Sequence, residues 1–229
     1  MDPFIKLGFV GSYKVDMLHY LSRILRALNK EVLIIDASKD QALKATLPTI
    51  TGGEVYTYLG VDCCSHADRL TELNKAINLK DYDIALVDHG LNGELELHNM
   101  DYSIVFIVSD YERHHILSLR QILNNFLNKN MNVVKIYRDV INTKIDKDYI
   151  NQILNVEEYA KVIAEYEFEF TEDDYKCKLL CQYDDVFSFK KLSKKYKEMF
   201  ADIIEELYGI KFGEVMKIIK SVEGAKACK

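Results

Sequence analysis

The chain of 229 residues is predicted to form an α/β domain with a doubly wound, mostly parallel sheet and a helical C-terminal extension. Short, nearly continuous apolar runs recur along its first two thirds, as in strands that are buried on both faces. Segments with apolar residues at a 3.6-residue period separate these runs, which is the pattern of amphipathic helices. Strands and helices that alternate in this way favour a parallel sheet covered by helices on both sides.

The first strand–helix–strand unit spans residues 4–36 and contains the turn on which the functional interpretation depends. An apolar run from Phe4 to Val10 stops at a Gly-Ser pair, and a second run ends at Asp36. A buried strand, a crossover helix and a second buried strand form a βαβ unit, which is nearly always right-handed. The apolar face of its helix is predicted to contain Met17, Leu18, Leu21, Ile24, Leu25 and Leu28.

Later segments extend the same alternation. Residues 38–50 are weakly helical, and residues 54–61 are predicted to form one strand. Acidic and aromatic side chains alternate over residues 164–170, which is typical of an edge strand with one solvent-exposed face. Residues 175–183 fit either a strand or a short helix. Further strands are predicted at 83–88, 103–109 and 132–137, and helices at 65–79, 111–127, 188–207 and 212–222.

Composition and charge are typical of a globular protein and argue against a broad nucleic-acid surface. Hydrophobic residues make up 48% of the chain and charged residues 29%, and the net charge is −6. Five cysteines without zinc spacing favour reduced thiols in the cytoplasm. The chain enters a strand directly and has no apolar window of about 20 residues, so neither a signal peptide nor a membrane span is expected.

The turn after the first strand is similar to part of a phosphate-binding loop, which reads G-x-x-x-x-G-K-[ST] between a strand and a helix. Residues 8–15 read G-F-V-G-S-Y-K-V, so Gly8 and Lys14 keep their places. Tyr13 replaces the second glycine, where a side chain obstructs the phosphates. Val15 replaces the hydroxyl residue that ligates Mg²⁺. The loop is therefore predicted to be degenerate.

Two interpretations of this loop remain open. In the simpler one, Asp16 stabilises the start of the helix through the helix dipole, and Lys14 is an ordinary surface charge. In the other, the loop still binds ATP and Mg²⁺ in an unusual pose, at the carboxyl ends of the strands where such sheets bind ligands. The candidate nucleotide-binding residues are then Gly8, Gly11, Ser12, Lys14, Asp36 and Asp88.

The order and spacing of segments over residues 4–140 resemble the MinD/ParA family of P-loop ATPases. In that family the loop reads K-G-G-x-G-K-[ST], and its first lysine, which acts across a nucleotide-sandwich dimer, matches Phe9. Of the family's two lysines only Lys14 is kept. The Asp-x-Asp after the second strand keeps only its first carboxylate, Asp36, and the Walker B-type aspartate matches Asp88.

The resemblance implies a P-loop ATPase fold without catalytic residues, that is, a pseudo-ATPase that acts as a localisation or scaffold factor. Within the family, the degenerate motifs are similar to the TadZ/CpaE-type proteins, which position secretion and pilus machines. A bacterial homodimer with an unidentified protein partner and no bound cofactor would follow, in the cytoplasm or peripherally at the inner membrane surface.

Two alternative functions stay open. One is an active or nucleotide-switching ATPase that uses Lys14, with Asp36 or Asp88 holding Mg²⁺. The other is a DNA-partitioning protein that binds DNA through Lys190–Lys197, although a charge run of this size is usually a solvated surface and the net charge makes nucleic acid a disfavoured partner.

The chain is predicted to divide into an α/β domain at 1–207 and a C-terminal amphipathic helix and tail at 208–229. Lysines flank the apolar face of this helix. Such a helix either docks on its own domain or contacts a membrane surface or a partner. The apolar face contains Phe212, Val215, Met216, Ile219 and Val222.

No metal site is predicted. His114 and His115 are adjacent on a predicted helix and face different directions, so they do not form a ligand pair. Cys63, Cys64 and His66 have no further ligands with zinc spacing, and buried thiols are the simpler interpretation.

Overall fold

The computed structural model describes residues 4–46, 55–65, 77–91, 101–183, 186–224 and 226–227, and within them the main sheet has eight strands. The strands of the chain are β1 (Ile5–Gly11), β2 (Val32–Asp36), β3 (Val55–Tyr58), β4 (Val61–Cys64), β5 (Ile84–Asp88), β6 (Ile104–Ser109), β7 (Asn132–Val140), β8 (Lys161–Glu169), β9 (Val186–Phe187) and β10 (Lys226–Ala227). The order in the main sheet is β3-β4-β2-β5-β1-β6-β7-β8. Only the β3–β4 pair among them is antiparallel, so the predicted fold class is confirmed.

Helices cover both faces of this sheet and form two cores. The helices are α1 (Val15–Ala27), α2 (Ala42–Ala45), α3 (Arg113–Phe126), α4 (Lys147–Leu154), α5 (Val156–Tyr159), α6 (Glu172–Leu180), α7 (Lys194–Tyr208) and α8 (Phe212–Val222). One core contains α1, α7 and α8, and the other contains α3 and α4. Alternate residues of β1 enter the two cores, since Phe9 belongs to the first and Val10 to the second.

The single strand predicted at residues 54–61 is wrong, because β3 and β4 form an antiparallel hairpin there. Leu59 and Gly60 make its two-residue turn, with φ values of 51° and 76°. Two-residue hairpin turns need positive φ at these positions, so that their twist matches that of the strands. A leucine rarely adopts this conformation, which is why the turn was not apparent from the residues.

Three further predictions can be compared with the structure. The ambiguous residues 175–183 fall largely within α6, whose first turn is capped by the Thr171 hydroxyl accepting from the Asp174 N–H at 3.1 Å. The edge strand predicted at 164–170 is confirmed as β8, the last strand of the sheet. The helix predicted at 65–79 lies mostly at 66–76, outside the described residues.

The helix predicted at 212–222 is confirmed as α8 and packs on the rest of the domain. Val215, Ile219 and Val222 are buried in the core that α8 shares with α1 and α7. Phe212 and Met216 pack against the same core and are partly buried. Of the two expected arrangements, the structure therefore shows the docked one. None of the helices in the described ranges has the length and apolar character that a bilayer crossing needs.

Arg23 of α1 ties the end of the chain to this layer. Its guanidinium donates to the carbonyl oxygen of Phe187 at 2.7 Å and to that of Gly224 at 2.6 Å. The short strands β9 and β10 pair next to these contacts. The C-terminal segment is thus held to α1 by hydrogen bonds as well as by apolar packing.

Candidate functional site

The carboxyl ends of β1, β2 and β5 meet at one edge of the sheet and bring the predicted loop residues together. Asp36 and Asp88 are register partners at the ends of β2 and β5, and Phe9 pairs with Asp88 on the other side. The exposed fractions are 2% for Ser12, 1% for Lys14, 0% for Asp36 and 2% for Asp88. These residues therefore form a buried polar cluster, and their side chains do not face solvent.

Lys14, at the N-terminus of α1, is bound by groups of the protein itself. Its Nζ lies 2.6 Å from Oδ1 of Asp88 and donates to the carbonyl oxygen of Gly11 at 3.1 Å. Asp88 also accepts from the N–H of Gly90 at 2.8 Å. The interpretation of Lys14 as a surface charge is wrong, since both side chains of this ion pair are 2% exposed. Asp88 neutralises the charge that a phosphate would otherwise meet.

Backbone donors of the loop are also engaged within the fold. The N–H of Gly11 donates to the carbonyl oxygen of Gly90 at 2.9 Å, and the N–H of Ser12 donates to that of Val108 at 2.8 Å. In a phosphate-binding loop such N–H groups point at the anion. Gly11 has a φ of 120°, and a Cβ there would lie 1.9 Å from the Val108 oxygen, so only glycine fits. The need for glycine at this position comes from the contact with β6.

The two substitutions that made the loop look degenerate have structural roles. Val15 is fully buried in the α1 core and offers no oxygen to a metal ion. Tyr13 points towards α6, and Nζ of Lys178 lies 5.8 Å from the centre of its ring. Burial of the Tyr13 hydroxyl, with the charge of Asp16 nearby, raises its pKa well above the ordinary value.

A second buried ion pair lies beneath the loop. Arg138 of β7 donates through Nη1 and Nη2 to the two carboxylate oxygens of Asp16, at 2.9 and 2.8 Å, and Nη1 also donates to the carbonyl oxygen of Tyr13 at 3.0 Å. Burial alone would raise the pKa of Asp16, but the charge and hydrogen bonds of Arg138 hold it below its usual value. Asp16 therefore fixes the loop to β7, beyond any effect on the helix dipole.

A β-bulge accompanies this contact. The register of β7 with β8 shifts between Tyr137 and Val140, and Asp139 has a φ of 58°. Lys178 of α6 binds the Asp139 carboxylate at 2.7 Å. Bulges re-aim the side chains beside them, and here the neighbouring Arg138 reaches the loop.

Asp36 organises the chain that follows β2. Its carboxylate accepts from the N–H and hydroxyl of Ser38 at 3.0 and 2.5 Å, and from the N–H of Leu43 at 3.0 Å. Burial raises the pKa of Asp36 above its ordinary value, and these hydrogen bonds oppose that shift. Both carboxylate oxygens already accept from the protein, so the role that the structure shows for Asp36 is to cap residues 38–43.

The other predicted residues lie elsewhere or have different partners. Gly8 lies within β1, where a Cβ would be 3.2 Å from the ring of Tyr102, so its lack of a side chain is explained by packing. His115 binds Asp110 at 2.8 Å through Nδ1. In the described part of the chain, no group of three or more metal-ligating side chains could hold an ion.

The role of Arg138 could not be predicted from the sequence. The one available signal was its position, because an arginine directly after an apolar strand run is expensive to bury unless it is paired. Its partner lies 122 residues away in the chain, so local patterns cannot reveal the pair.

Comparison with known proteins supports the architecture. No protein-family model matches the sequence, and no curated protein matches it. Solved structures do match. A ParA family ATPase from Chlorobium tepidum TLS has a TM-score of 0.55 and 13% identity over 96% of this chain and 98% of its own. MinD from Aquifex aeolicus has a TM-score of 0.55 and 14% identity over 90% and 98%. The chain has the MinD/ParA fold.

A third match includes a nucleotide analogue. A proposed plasmid partition protein from Borrelia burgdorferi B31, bound to AMPPNP, has a TM-score of 0.51 and 15% identity over 95% of this chain and 99% of its own. At such identities the likeness is one of fold alone. The residues of this chain do not fit ATP and Mg²⁺ in the usual pose, because Lys14 is paired, the Gly11 and Ser12 N–H groups are engaged and Val15 cannot ligate a metal.

Proposed function

We propose that this chain is a non-hydrolysing protein of MinD/ParA fold, a pseudo-ATPase that acts as a localisation or scaffold factor. The observation that carries the proposal is the Lys14–Asp88 ion pair, in which the loop lysine and the Walker B-type carboxylate bind each other. The Asp16–Arg138 pair supports it, since it fixes the same loop from below.

The finer parts of the proposal follow from the resemblance to the TadZ/CpaE type. They are a homodimer, a protein partner in a secretion or pilus machine, and a position near the inner membrane. Membrane contact through α8 would require that helix to leave the core, because Val215 and Ile219 are 0% and 1% exposed. A contact through the rest of the domain would not need this step.

A second candidate function is favoured by one feature. Lys14 and Asp88 are both retained and adjacent, so separating them would free the two groups that a nucleotide-switching ATPase uses. Steady-state ATP turnover tests the two candidates, with Lys14→Ala and Asp88→Ala as variants. Turnover at the level of a buffer blank in all three proteins supports the pseudo-ATPase. Wild-type turnover that both variants abolish would overturn it.

A further inference from the structure

A large cavity opens at the carboxyl ends of β7 and β8, away from the Lys14–Asp88 pair. Its volume is about 540 Å³, and we call it the acidic groove. Apolar side chains line it while remaining solvent-exposed: Ile141 is 59% exposed, Ile145 40% and Phe170 48%. The residues that define the groove are Tyr111, Ile141, Ile145, Asp146, Glu167, Glu169 and Phe170.

Exposed apolar side chains concentrate around this groove. An adjoining cavity of about 260 Å³ shares Tyr111 and Ile145 with it. Ten large apolar side chains are exposed in the described ranges, and half of them line these two cavities. Contiguous apolar exposure of this kind marks an interaction surface. The five side chains are Leu117, Ile141, Ile145, Tyr149 and Phe170.

The groove is also negatively charged. Asp146, Glu167 and Glu169 line it, and within the described chain no lysine or arginine forms an ion pair with Glu167 or Glu169. Burial together with the charges of Glu167 and Asp146 raises the pKa of Tyr111 to about 12. The adjoining cavity differs, since Arg113 and Arg120 line it, so the negative charge is confined to the ends of β7 and β8.

A groove of opposite charge lies between α7 and α8. We call it the basic groove; its volume is about 310 Å³ and it is lined by Lys197, Met216, Lys217, Ile219, Lys220 and Glu223. Lys197 is paired with Glu223 at 2.7 Å, whereas Lys217 and Lys220 are exposed and, among the described residues, form no ion pair. Methionine suits such a surface because its flexible side chain adapts to a partner.

The two grooves belong to opposite faces of the sheet. The basic groove lies on the helices that share the α1 core, and the acidic groove is bordered by Tyr111 and Val140, which pack with the other core. Because the two grooves lie on opposite faces, they cannot meet within one molecule, and they cannot both lie in the single interface of a two-fold dimer. A contact between them would be a head-to-tail contact, which closes into a ring or continues as a filament.

We propose that the acidic groove of one copy of this chain receives the exposed α8 surface of a second copy, which carries Lys217 and Lys220 at the edge of the basic groove. This inference rests on the proposed scaffold function, to which it adds a mode of self-assembly that needs no nucleotide. Charge complementarity between the two surfaces sets the orientation, and the apolar side chains of each groove lose water on contact. The salt dependence of the contact follows from the exposure of its charges.

Sedimentation velocity of the full-length protein without nucleotide tests this assembly. The variants are Glu167→Lys/Glu169→Lys in the acidic groove and Lys217→Glu/Lys220→Glu in the basic groove. Wild type is expected to self-associate with concentration, and each variant should associate about tenfold more weakly or worse. An equimolar mixture of the two variants should form a 1:1 heterodimer and stop there, because the intact basic groove of the first binds the intact acidic groove of the second. Glu205→Lys/Glu206→Lys on the exposed side of α7 is the control, with the same change in net charge as the first variant.

Three outcomes would overturn the inference. They are a wild type that stays monomeric, self-association that neither pair of groove substitutions weakens, and an equimolar mixture of the variants that forms no heterodimer. A partner of another kind, or an isologous dimer, would produce one of these outcomes. Association that appears only with ATP would count against the proposed function as well, whereas a wild type that stays monomeric with and without ATP would overturn this inference alone, so the two failures can be told apart.

Discussion

The Asp16–Arg138 pair places a carboxylate and a guanidinium, 2% and 3% exposed, beneath the turn that joins β1 to α1. Replacing Arg138 with Met leaves the Asp16 charge buried without a partner. Loss of one member of such a pair costs about 3–5 kcal/mol of unfolding free energy, whereas replacing both members by apolar residues costs less. We therefore expect Asp16→Leu/Arg138→Met to be more stable than Arg138→Met in urea unfolding.

The control for this prediction is the exposed pair of Lys194 and Glu198 on α7, at 2.9 Å. Lys194→Ala should change the unfolding free energy by less than about 0.5 kcal/mol, because exposed ion pairs contribute little. An Arg138→Met protein as stable as wild type would show that the buried pair does not hold the loop.

His19 of α1 gives the structure a dependence on pH. Burial lowers its pKa from 6.5 to about 4, and its Nε2 lies 3.3 Å from the hydroxyl of Thr46. The unfolded chain binds a proton near pH 6.5 that the folded chain does not bind until about pH 4, so stability falls as the pH drops through this window. The loss is on the order of 3 kcal/mol. Urea midpoints from pH 7 to 4 should fall less steeply in His19→Gln, and equal slopes in both proteins would contradict this assignment.

Some residues of the site can be identified from the sequence, whereas their burial and pairing cannot. Lys14 and Asp88 were identified because a loop motif and a strand end are local patterns, and the structure brings the two together. Their burial and mutual pairing depend on the packing of β1 against β5, which no spacing rule describes. Arg138 was missed because its contact depends on a bulge and on a partner distant in the chain.

At the scale of elements, α8 is the clearest case of a helix predicted by its periodicity and placed by its packing. Ile219 is 1% exposed in the shared core, so Ile219→Ala should lower the unfolding free energy by about 3 kcal/mol. Lys220→Ala, at the neighbouring exposed position, should change it by less than about 0.5 kcal/mol. Urea unfolding of both variants measures the difference, and equal stabilities would mean that α8 is not docked in solution.

The same helix gives a prediction for membranes. With its apolar face buried, the folded wild type should not float with liposomes that contain anionic lipids, and Lys217→Glu/Lys220→Glu, at exposed positions of α8, should behave in the same way. Flotation of wild type that these charge reversals abolish would show that α8 binds the bilayer.

Elements with regular periodicity were predicted best. Segments 111–127 and 212–222 correspond to α3 and α8 because their apolar residues recur at helical spacing over several turns. The β3–β4 hairpin was not found, since its turn uses Leu59 at a φ of 51° and carries no Asn-Gly or Asp-Gly signal. Leucine prefers negative φ, and at Leu59 the pairing of β3 with β4 outweighs that preference.

At the scale of the whole molecule, alternating strands and helices were enough to predict a doubly wound, mostly parallel α/β sheet, because handedness and crossover rules leave few topologies. The MinD/ParA fold itself was expected from the resemblance in segment order and loop residues over residues 4–140. Function was less predictable, since it depends on which groups bind the side chains and N–H groups of the turn between β1 and α1. In this chain the turn is fixed by Lys14–Asp88 and Asp16–Arg138, whereas open cavities lie at the β7–β8 end and between α7 and α8.

The most direct measurement is calorimetric titration of ATP and ADP into the purified protein, with and without Mg²⁺. No heat of binding is expected up to about 1 mM nucleotide, which corresponds to less than about 4 kcal/mol of binding free energy. Asp88→Asn, which frees Lys14 from its partner, is the matched variant. Mg²⁺-dependent binding of ATP by wild type in the micromolar range would contradict the proposed pseudo-ATPase function and identify the chain as a nucleotide switch.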